Sequence, residues 1–385
     1  MIYGFGGRNC WSFKEWLTID FTINKSVPEE YGFGDVGVVP ALCFEGANAS
    51  GKSCALRVIS FIKSFCLNSF QEEKPDDKIF YDTFFNNNDK SEFFLDFSLA
   101  DDLNRKFKYQ IILDRNKVYS ERLSVKSKGR ATLLFSRIGN KIKTDRYFHI
   151  SKDLPDFRDN VSFFSTFFQY NIAAAKPFFY FFSSIFTNVG YIGINEYKES
   201  DSMARFYHEN PDLLAKVIGY LKMFDTGIVD VEIKNWSDIA GNNLYMSIFK
   251  HQTEDGVKEL KIYSQSMGTK VLYNQLLPLM FVVENGGLLV YDELDTHLHS
   301  AILPIMLGHF FNRSQNKKHA QIVFTAQNSS LLDKMKKYRT YLFNKEKGES
   351  YCYRIDELPQ TITQRNERSL EQAYKSGLLG GVPNV

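Results

Sequence analysis

Gly46-Ala47-Asn48-Ala49-Ser50-Gly51-Lys52-Ser53 fits the pattern G-x-x-x-x-G-K-[ST] at every fixed position. The apolar run before it, Ala41-Leu42-Cys43-Phe44, reads as a buried strand. The stretch after it, with Leu56, Ile59, Phe61 and Ile62 as its apolar members, reads as a helix. Strand, glycine loop and helix is the context a phosphate-binding loop needs. Gly46 and Gly51 let backbone N–H groups turn inward into an anion nest, and the helix N-terminus adds its positive dipole end. In this pattern Lys52 reaches the β- and γ-phosphates, and the Ser53 hydroxyl holds Mg²⁺.

A second constellation lies far downstream. Leu288-Leu289-Val290-Tyr291 is an apolar strand running into Asp292-Glu293. Asp292 at the strand end suits the Mg²⁺ shell, and Glu293 is placed to orient or deprotonate an attacking water. One helix earlier, Ser264-Gln265-Ser266-Met267-Gly268-Thr269 precedes a helix expected over 270–283. Ser266 and Gly268 at that helix start read as an anion-binding end; an ordinary serine N-cap is the plainer alternative.

At 385 residues the chain is too long for one compact core, so two lobes or more are expected. The formal charge of +2 gives no support to a large nucleic-acid footprint. Phe is abundant, at 35 residues, which points to aromatic-rich cores or interfaces. Five cysteines without C-x-x-C spacing argue against a zinc site and a disulfide scaffold, and they suit a reducing cytosol. The opening Met1-Ile2-Tyr3-Gly4-Phe5 lacks the features of a signal peptide, so a cytoplasmic protein is expected. Residues 178–194 include Ser183, Ser184, Thr187 and Asn188 and read as a buried aromatic helix, not a membrane span.

Three parts are expected: a β-rich lobe over 1–140, a helical insertion over 141–227 and a second lobe over 228–385. In the first, Phe93-Phe94-Leu95-Asp96-Phe97 pairs with the run from Phe107 to Leu113, and Asp114-Arg115-Asn116-Lys117 turns into a third strand. In the second, Leu213, Leu214, Val217, Ile218 and Leu221 carry helical spacing without sustained heptads.

Phosphate loop, Ser266-x-Gly268 turn and Asp292-Glu293 strand, in this order, resemble the ATPase head of the ABC/SMC superfamily. The resemblance is stronger to its compact bacterial branch, which includes the ATPase part of OLD-family proteins and phage-defence ATPases. Asn9-Cys10-Trp11-Ser12-Phe13, Asp292-Glu293-Leu294-Asp295-Thr296-His297-Leu298-His299, Gln321-Ile322-Val323-Phe324-Thr325-Ala326-Gln327-Asn328, Phe343-Asn344-Lys345 and the ending Tyr374 to Pro383 all carry it. The resemblance implies an α/β P-loop head, with a mixed β-sheet lobe, an α/β lobe and a helical insertion. It implies ATP and Mg²⁺ as cofactors, and Glu293 and Gln327 as catalytic residues. It also implies a homo-oligomer in which Ser266 of one chain meets the γ-phosphate held by Lys52 of another, with Asp295 and His297 in the loop crossing that interface. His299 is expected to be structural and partly buried.

Three departures stand out. Gln327 occupies a position where relatives usually carry His; glutamine can hydrogen-bond a γ-phosphate but cannot be protonated near neutral pH. The signature reads Ser266-Met267-Gly268-Thr269, away from the transporter form. The family's Q-loop glutamine has no patterned counterpart, with Gln110 and Gln169 as candidates. The stretch after Gln327 is short for a further catalytic domain such as a TOPRIM nuclease. The function implied is a nucleotide-dependent sensor in bacterial anti-phage defence, similar to the ATPase subunit of PARIS or abortive-infection systems. Its partners would be a phage-encoded trigger and a separate nuclease or toxin effector. The rival is an SMC/recombination-like, DNA-binding repair ATPase. Its phosphate contacts would come from Arg122, Lys126, Lys128 and Arg130 or from Lys334, Lys336, Lys337 and Arg339, which otherwise read as solvated faces.

Overall fold

Alternating apolar side chains build the first layer. In β4 (Ser91–Leu99) and β5 (Asp102–Leu113), Phe93, Leu95 and Phe97 are buried opposite Ile111, Tyr109 and Phe107. Five further strands complete this antiparallel sheet: β1 (Ile2–Arg8), β2 (Leu17–Asp20), β6 (Val118–Ser127), β7 (Arg130–Ile138) and β8 (Lys141–Thr144). The order is β2-β1-β4-β5-β6-β7-β8. This computed structural model describes residues 1–385 apart from 25, 35, 128, 140, 146, 147, 149–156, 192, 195–200, 225, 360–368 and 383–385. Lys128 and Pro383 therefore lie outside the described residues.

β3 (Ala41–Gly46) has a different pattern, with apolar side chains buried on both faces. That is the mark of a strand covered on both sides. It sits in a six-stranded sheet with β9 (Ile185–Thr187), β13 (Leu288–Tyr291), β14 (Gln321–Thr325), β15 (Thr340–Glu346) and β16 (Glu349–Arg354). The order is β16-β15-β3-β14-β13-β9, parallel throughout except for the β15–β16 hairpin. Successive residues of these strands serve two cores. Leu42, Phe44, Val290 and Val323 face the core shared with α1 (Lys52–Glu72) and the seven-stranded sheet. Cys43, Leu289, Ile322 and Phe324 face the core under α6 (Met267–Asn285) and α7 (Ile302–Phe311). The α/β architecture with a mixed-sheet lobe and an α/β lobe is thus the one the motifs imply.

The middle segment is mostly helical, as the fold class implies, but its helices divide between two packing partners. Its helices α2 (Phe163–Gln169) and α3 (Lys176–Ser183) pack on α1. Phe181 stacks on Phe97 with centroids 4.1 Å apart, and Phe178 meets Phe107 edge-on at 5.2 Å. α4 (Asp201–Glu209) and α5 (Pro211–Met223) pack instead on a three-stranded antiparallel sheet. Its strands are β10 (Ile228–Ser237), β11 (Asn243–Thr253) and β12 (Gly256–Lys261). Phe163, Phe164, Phe167, Phe178, Phe181 and Phe182 therefore fill existing cores, while Phe179 is exposed.

The single helix expected over 178–194 is corrected as well. Its helix stops at Ser183, and the chain extends into β9, parallel to β13. A short apolar run fits helix and strand alike, and the open edge of β13 decides by offering backbone partners.

Near the C-terminus, α8 (Leu332–Met335) and α9 (Leu370–Lys375) form a small core against β15 and β16. Arg339, expected on a solvated face, is 6% exposed; its guanidinium donates to the Tyr31 and Glu30 carbonyls and lies over the Phe311 ring. It is a structural cross-link. Among the described residues no helix is long and apolar enough to cross a membrane.

Candidate functional site

The phosphate loop is shaped by what stands behind it. Gly46 adopts φ +151°, and a Cβ there would lie 2.4 Å from the Phe343 carbonyl oxygen. Gly51, at φ +108°, would put a Cβ 2.5 Å from Ser350 Oγ. Only glycine allows the loop to lie this close to the β15–β16 hairpin. Lys52 opens α1 and turns back over the loop, donating to the carbonyls of Gly46 at 2.7 Å and Ala47 at 2.9 Å. Burial pulls its ammonium below the ordinary lysine range, while Glu45, Asp292 and Glu293 oppose that shift.

Parallel pairing brings the ends of β3, β13 and β14 side by side. Their loops enclose a cavity of about 420 Å³ lined by Asn48, Gly51, Lys52, Ser53, Asp292, Glu293 and Gln327. Seven of the expected residues thus meet in one place, and Gly46 joins them through the Lys52 contact.

Asp292 is held from three directions. The Asn188 amide donates to its carbonyl at 2.9 Å and accepts from its N–H at 2.8 Å. Thr325 Oγ1 donates to Asp292 Oδ1 at 2.5 Å and accepts the Glu293 N–H at 2.7 Å. Glu293 stands in the left-handed region at φ +53°, a costly conformation for a non-glycine residue. Thr296 Oγ1 donates to one of its carboxylate oxygens at 3.2 Å, and Gln327 Nε2 approaches the other at 3.5 Å. Asp295 accepts the Gln327 and Asn328 N–H groups at 2.9 Å each, so the loop after Asp292 carries the switch residue.

Sequence reasoning missed Asn188, Thr325 and Lys345. Asn188 follows β9, at the strand end beside Asp292. Gln110 lies exposed on β5, and Gln169 accepts from Gln71 at the end of α2, so neither comes near the site. Lys345 was noted only as part of a pattern, yet it brings a second ammonium to the cavity wall. Glu45, one residue before Gly46, is 3% exposed and has a carboxylate oxygen without a partner. Burial pushes its carboxyl up to about 8, with Lys52 opposing and Asp295 adding to the shift.

Ser266 and Gly268 stand outside the cavity. Ser266 is exposed, and its Oγ caps α6 by accepting the Thr269 N–H at 3.1 Å. A Cβ on Gly268 would lie 3.0 Å from the His297 carbonyl oxygen. His297 itself is exposed at φ +64°. His299, expected to be partly buried, is exposed, and its Nδ1 accepts the Ala301 N–H at 3.2 Å.

The donor set fits a Mg–nucleotide. Ser53 and Asp292 offer hard oxygen ligands on one wall, Lys52 offers positive charge, and the buried Ser12 and Ser50 hydroxyls beside the loop lack protein partners.

Solved structures similar to this chain include SMC heads. One, bound to the C-winged helix domain of ScpA, shares 13% identity over 97% of this chain and 99% of that one, with a TM-score of 0.49. The SMC head domain from Thermotoga maritima shares 14% identity over 92% and 98%, with a TM-score of 0.42. The SMC head of Pyrococcus furiosus with the C-terminal domain of ScpA shares 12% over 95% and 99%, with a TM-score of 0.46. No curated protein matches. Residues 43–333 match the family model described as "AAA domain, putative AbiEii toxin, Type IV TA system". That match spans the phosphate loop, the α6 turn, Asp292-Glu293 and the switch strand, and the chain belongs to this AAA-domain family.

Proposed function

We propose that this protein binds and hydrolyses Mg–ATP and uses the nucleotide state as a switch in bacterial anti-phage defence, controlling a separate effector. The observation that carries the ATPase reading is the convergence of Lys52, Ser53, Asp292, Glu293 and Gln327 on one cavity. When nucleotide binds, the Lys52 ammonium exchanges the loop carbonyls for phosphate oxygens. Ser53 and Asp292 would hold a Mg²⁺ ion, which would supply charge neutralisation at the phosphates. Glu293, fixed through Thr325 and Thr296, orients the attacking water and takes its proton. Gln327 donates toward the γ-phosphate and Glu293, and its switch loop follows Asp295.

Ser266 is exposed and does not line its own chain's cavity, which supports a homo-oligomer in which a second copy supplies it. ATP then joins two faces. The family description, which names an AbiEii toxin and a type IV toxin–antitoxin system, supports a toxin–antitoxin setting with an effector or toxin partner; the OLD-like, PARIS-like branch and a cytoplasmic location belong to the same proposal. The experiment is a pull-down from the host with wild-type and Glu293→Gln protein, with and without ATP. A protein whose retention follows nucleotide state is expected; retention of nothing in any state removes the switch.

One observation favours the DNA-binding alternative. Lys106 pairs with Lys126, and Gln110 with Arg122, on adjacent strands, leaving exposed cations on one face of the seven-stranded sheet. DNA retention with steep salt dependence, and no protein partner, selects that reading.

A further inference from the structure

A second cavity, of about 540 Å³, runs along α1 away from the phosphate loop. That is a size common for small-molecule sites. Arg57, Phe61 and Lys63 of α1 form one wall, and Thr187 at the end of β9, with Val189 and Tyr191 after it, forms the other. Phe80 and Tyr191 meet edge-on at 5.8 Å, and Tyr191 Oη donates to Asp82 at 3.0 Å, so this rim is held in place. Trp11 completes the aromatic lining; its indole N–H is buried without an acceptor.

The charged groups are uneven. Lys63 is half-buried and has no hydrogen-bond or ion-pair partner among the described residues; burial pulls its ammonium below the ordinary range with nothing opposing. Arg57 adds positive charge on the same wall. Glu73 lines the cavity too, and burial pushes its carboxyl up to about 8 against the opposing Arg158 guanidinium. Glu72 opens to solvent.

Both walls lead to the phosphate cavity. Ser60 Oγ and Thr187 Oγ1 join them at 2.8 Å. The residue after Thr187 is Asn188, which grips the Asp292 backbone. The other wall, α1, begins at Lys52.

We propose that this cavity is an effector site for a flat, apolar monoanion, such as an aromatic carboxylate, sulfonate or phosphate. Its anionic group pairs with Lys63, its ring packs on Phe61, Phe80 and Tyr191, and its occupancy alters ATP turnover through Asn188. The binding half stands alone; the coupling half rests on the ATPase reading. A bound anion changes turnover only if it binds better to one arrangement of the Asn188–Asp292 clamp than to another.

The test uses anilinonaphthalene sulfonate, an aromatic monoanion, titrated by fluorescence into the full chain. Saturable binding is expected, weakened roughly tenfold in Lys63→Ala and several-fold in Tyr191→Ala. Neither side chain is in a packed core, and circular dichroism and melting verify folding. Trp236→Ala, at an exposed aromatic on β10, should leave the affinity unchanged. Equal affinity in wild type, Lys63→Ala and Tyr191→Ala overturns the site, and so does loss in Trp236→Ala alone. Saturating probe should change ATP turnover in the wild type and not in Lys63→Ala. Unchanged turnover with the site filled overturns the coupling. A chain without turnover in any condition overturns the coupling together with the ATPase reading, while the binding titration is decided separately.

Discussion

Around Lys52, loops from three parallel strands meet within one cavity, and Lys52, Asp292, Glu293 and Gln327 are all hydrogen-bonded within the same chain. Around Ser266, the hydroxyl caps its own helix, faces solvent and touches nothing of that cavity. Both regions carry motif residues of the same expected machine. The difference teaches that a motif can be complete in sequence and incomplete in one molecule. The phosphate side is assembled by the sheet, whereas the Ser266 side faces solvent and, in the proposed oligomer, would be completed by a second copy. An internal link between them is the close approach of Gly268 to the His297 carbonyl, in the loop that also carries Asp295.

The sharpest break of this comparison is Glu293→Gln. It should slow hydrolysis by on the order of 10²-fold or more while nucleotide binding persists, measured by phosphate release and equilibrium binding. Normal turnover would remove Glu293 as the base. Next is Lys52→Ala, which removes the charged donor from the loop. ATP affinity should fall roughly ten- to a hundredfold, the worth of a charge-assisted hydrogen bond. Wild-type affinity in a folded variant would remove the site assignment.

On the other side of the comparison, Ser266→Arg should leave ATP binding by single chains intact and block ATP-driven association, read by light scattering. Mixing it with Lys52→Ala should restore part of the activity, because such a pair can form one intact site. No rescue from two folded proteins would show that the halves are not shared.

Smaller effects probe the scaffold. Asn188→Ala leaves the Asp292 N–H buried without its acceptor and should cost about 1–3 kcal/mol in denaturant unfolding, with turnover reduced as well. An unchanged midpoint would show that the clamp is dispensable. The smallest effect expected is at Glu45. Its carboxyl is raised by burial to about 8 in the folded chain, above its value when unfolded. Its contribution is therefore fully present below the unfolded pKa and is lost as pH rises through about 8. Glu45→Gln should raise the melting temperature slightly at pH above 8 and leave it unchanged near pH 4; a constant difference across pH would assign the effect to packing.

Legibility followed locality. The phosphate loop was readable because its conformation depends on glycines within eight residues, and the buried β3, β13 and β14 announced themselves as apolar runs. The same reading missed β9, three residues long inside a Phe-rich stretch whose composition suits a helix. It also missed Asn188, since an isolated asparagine has no pattern until β9 lies against β13 and sets it beside Asp292. Arg339 read as one of a run of surface cations, and only the fold shows its guanidinium turned inward onto two carbonyls.

By itself the sequence determined the α/β class and the local chemistry of the phosphate loop and of the Asp292-Glu293 strand end, because each rests on short segments whose backbone is set by near neighbours. The tertiary structure alone decided which residues share a cavity, where Asn188 and Lys345 stand, and that Ser266 faces outward. Those facts depend on strand order and long-range packing, where contacts between residues a hundred or more positions apart choose among locally equivalent conformations.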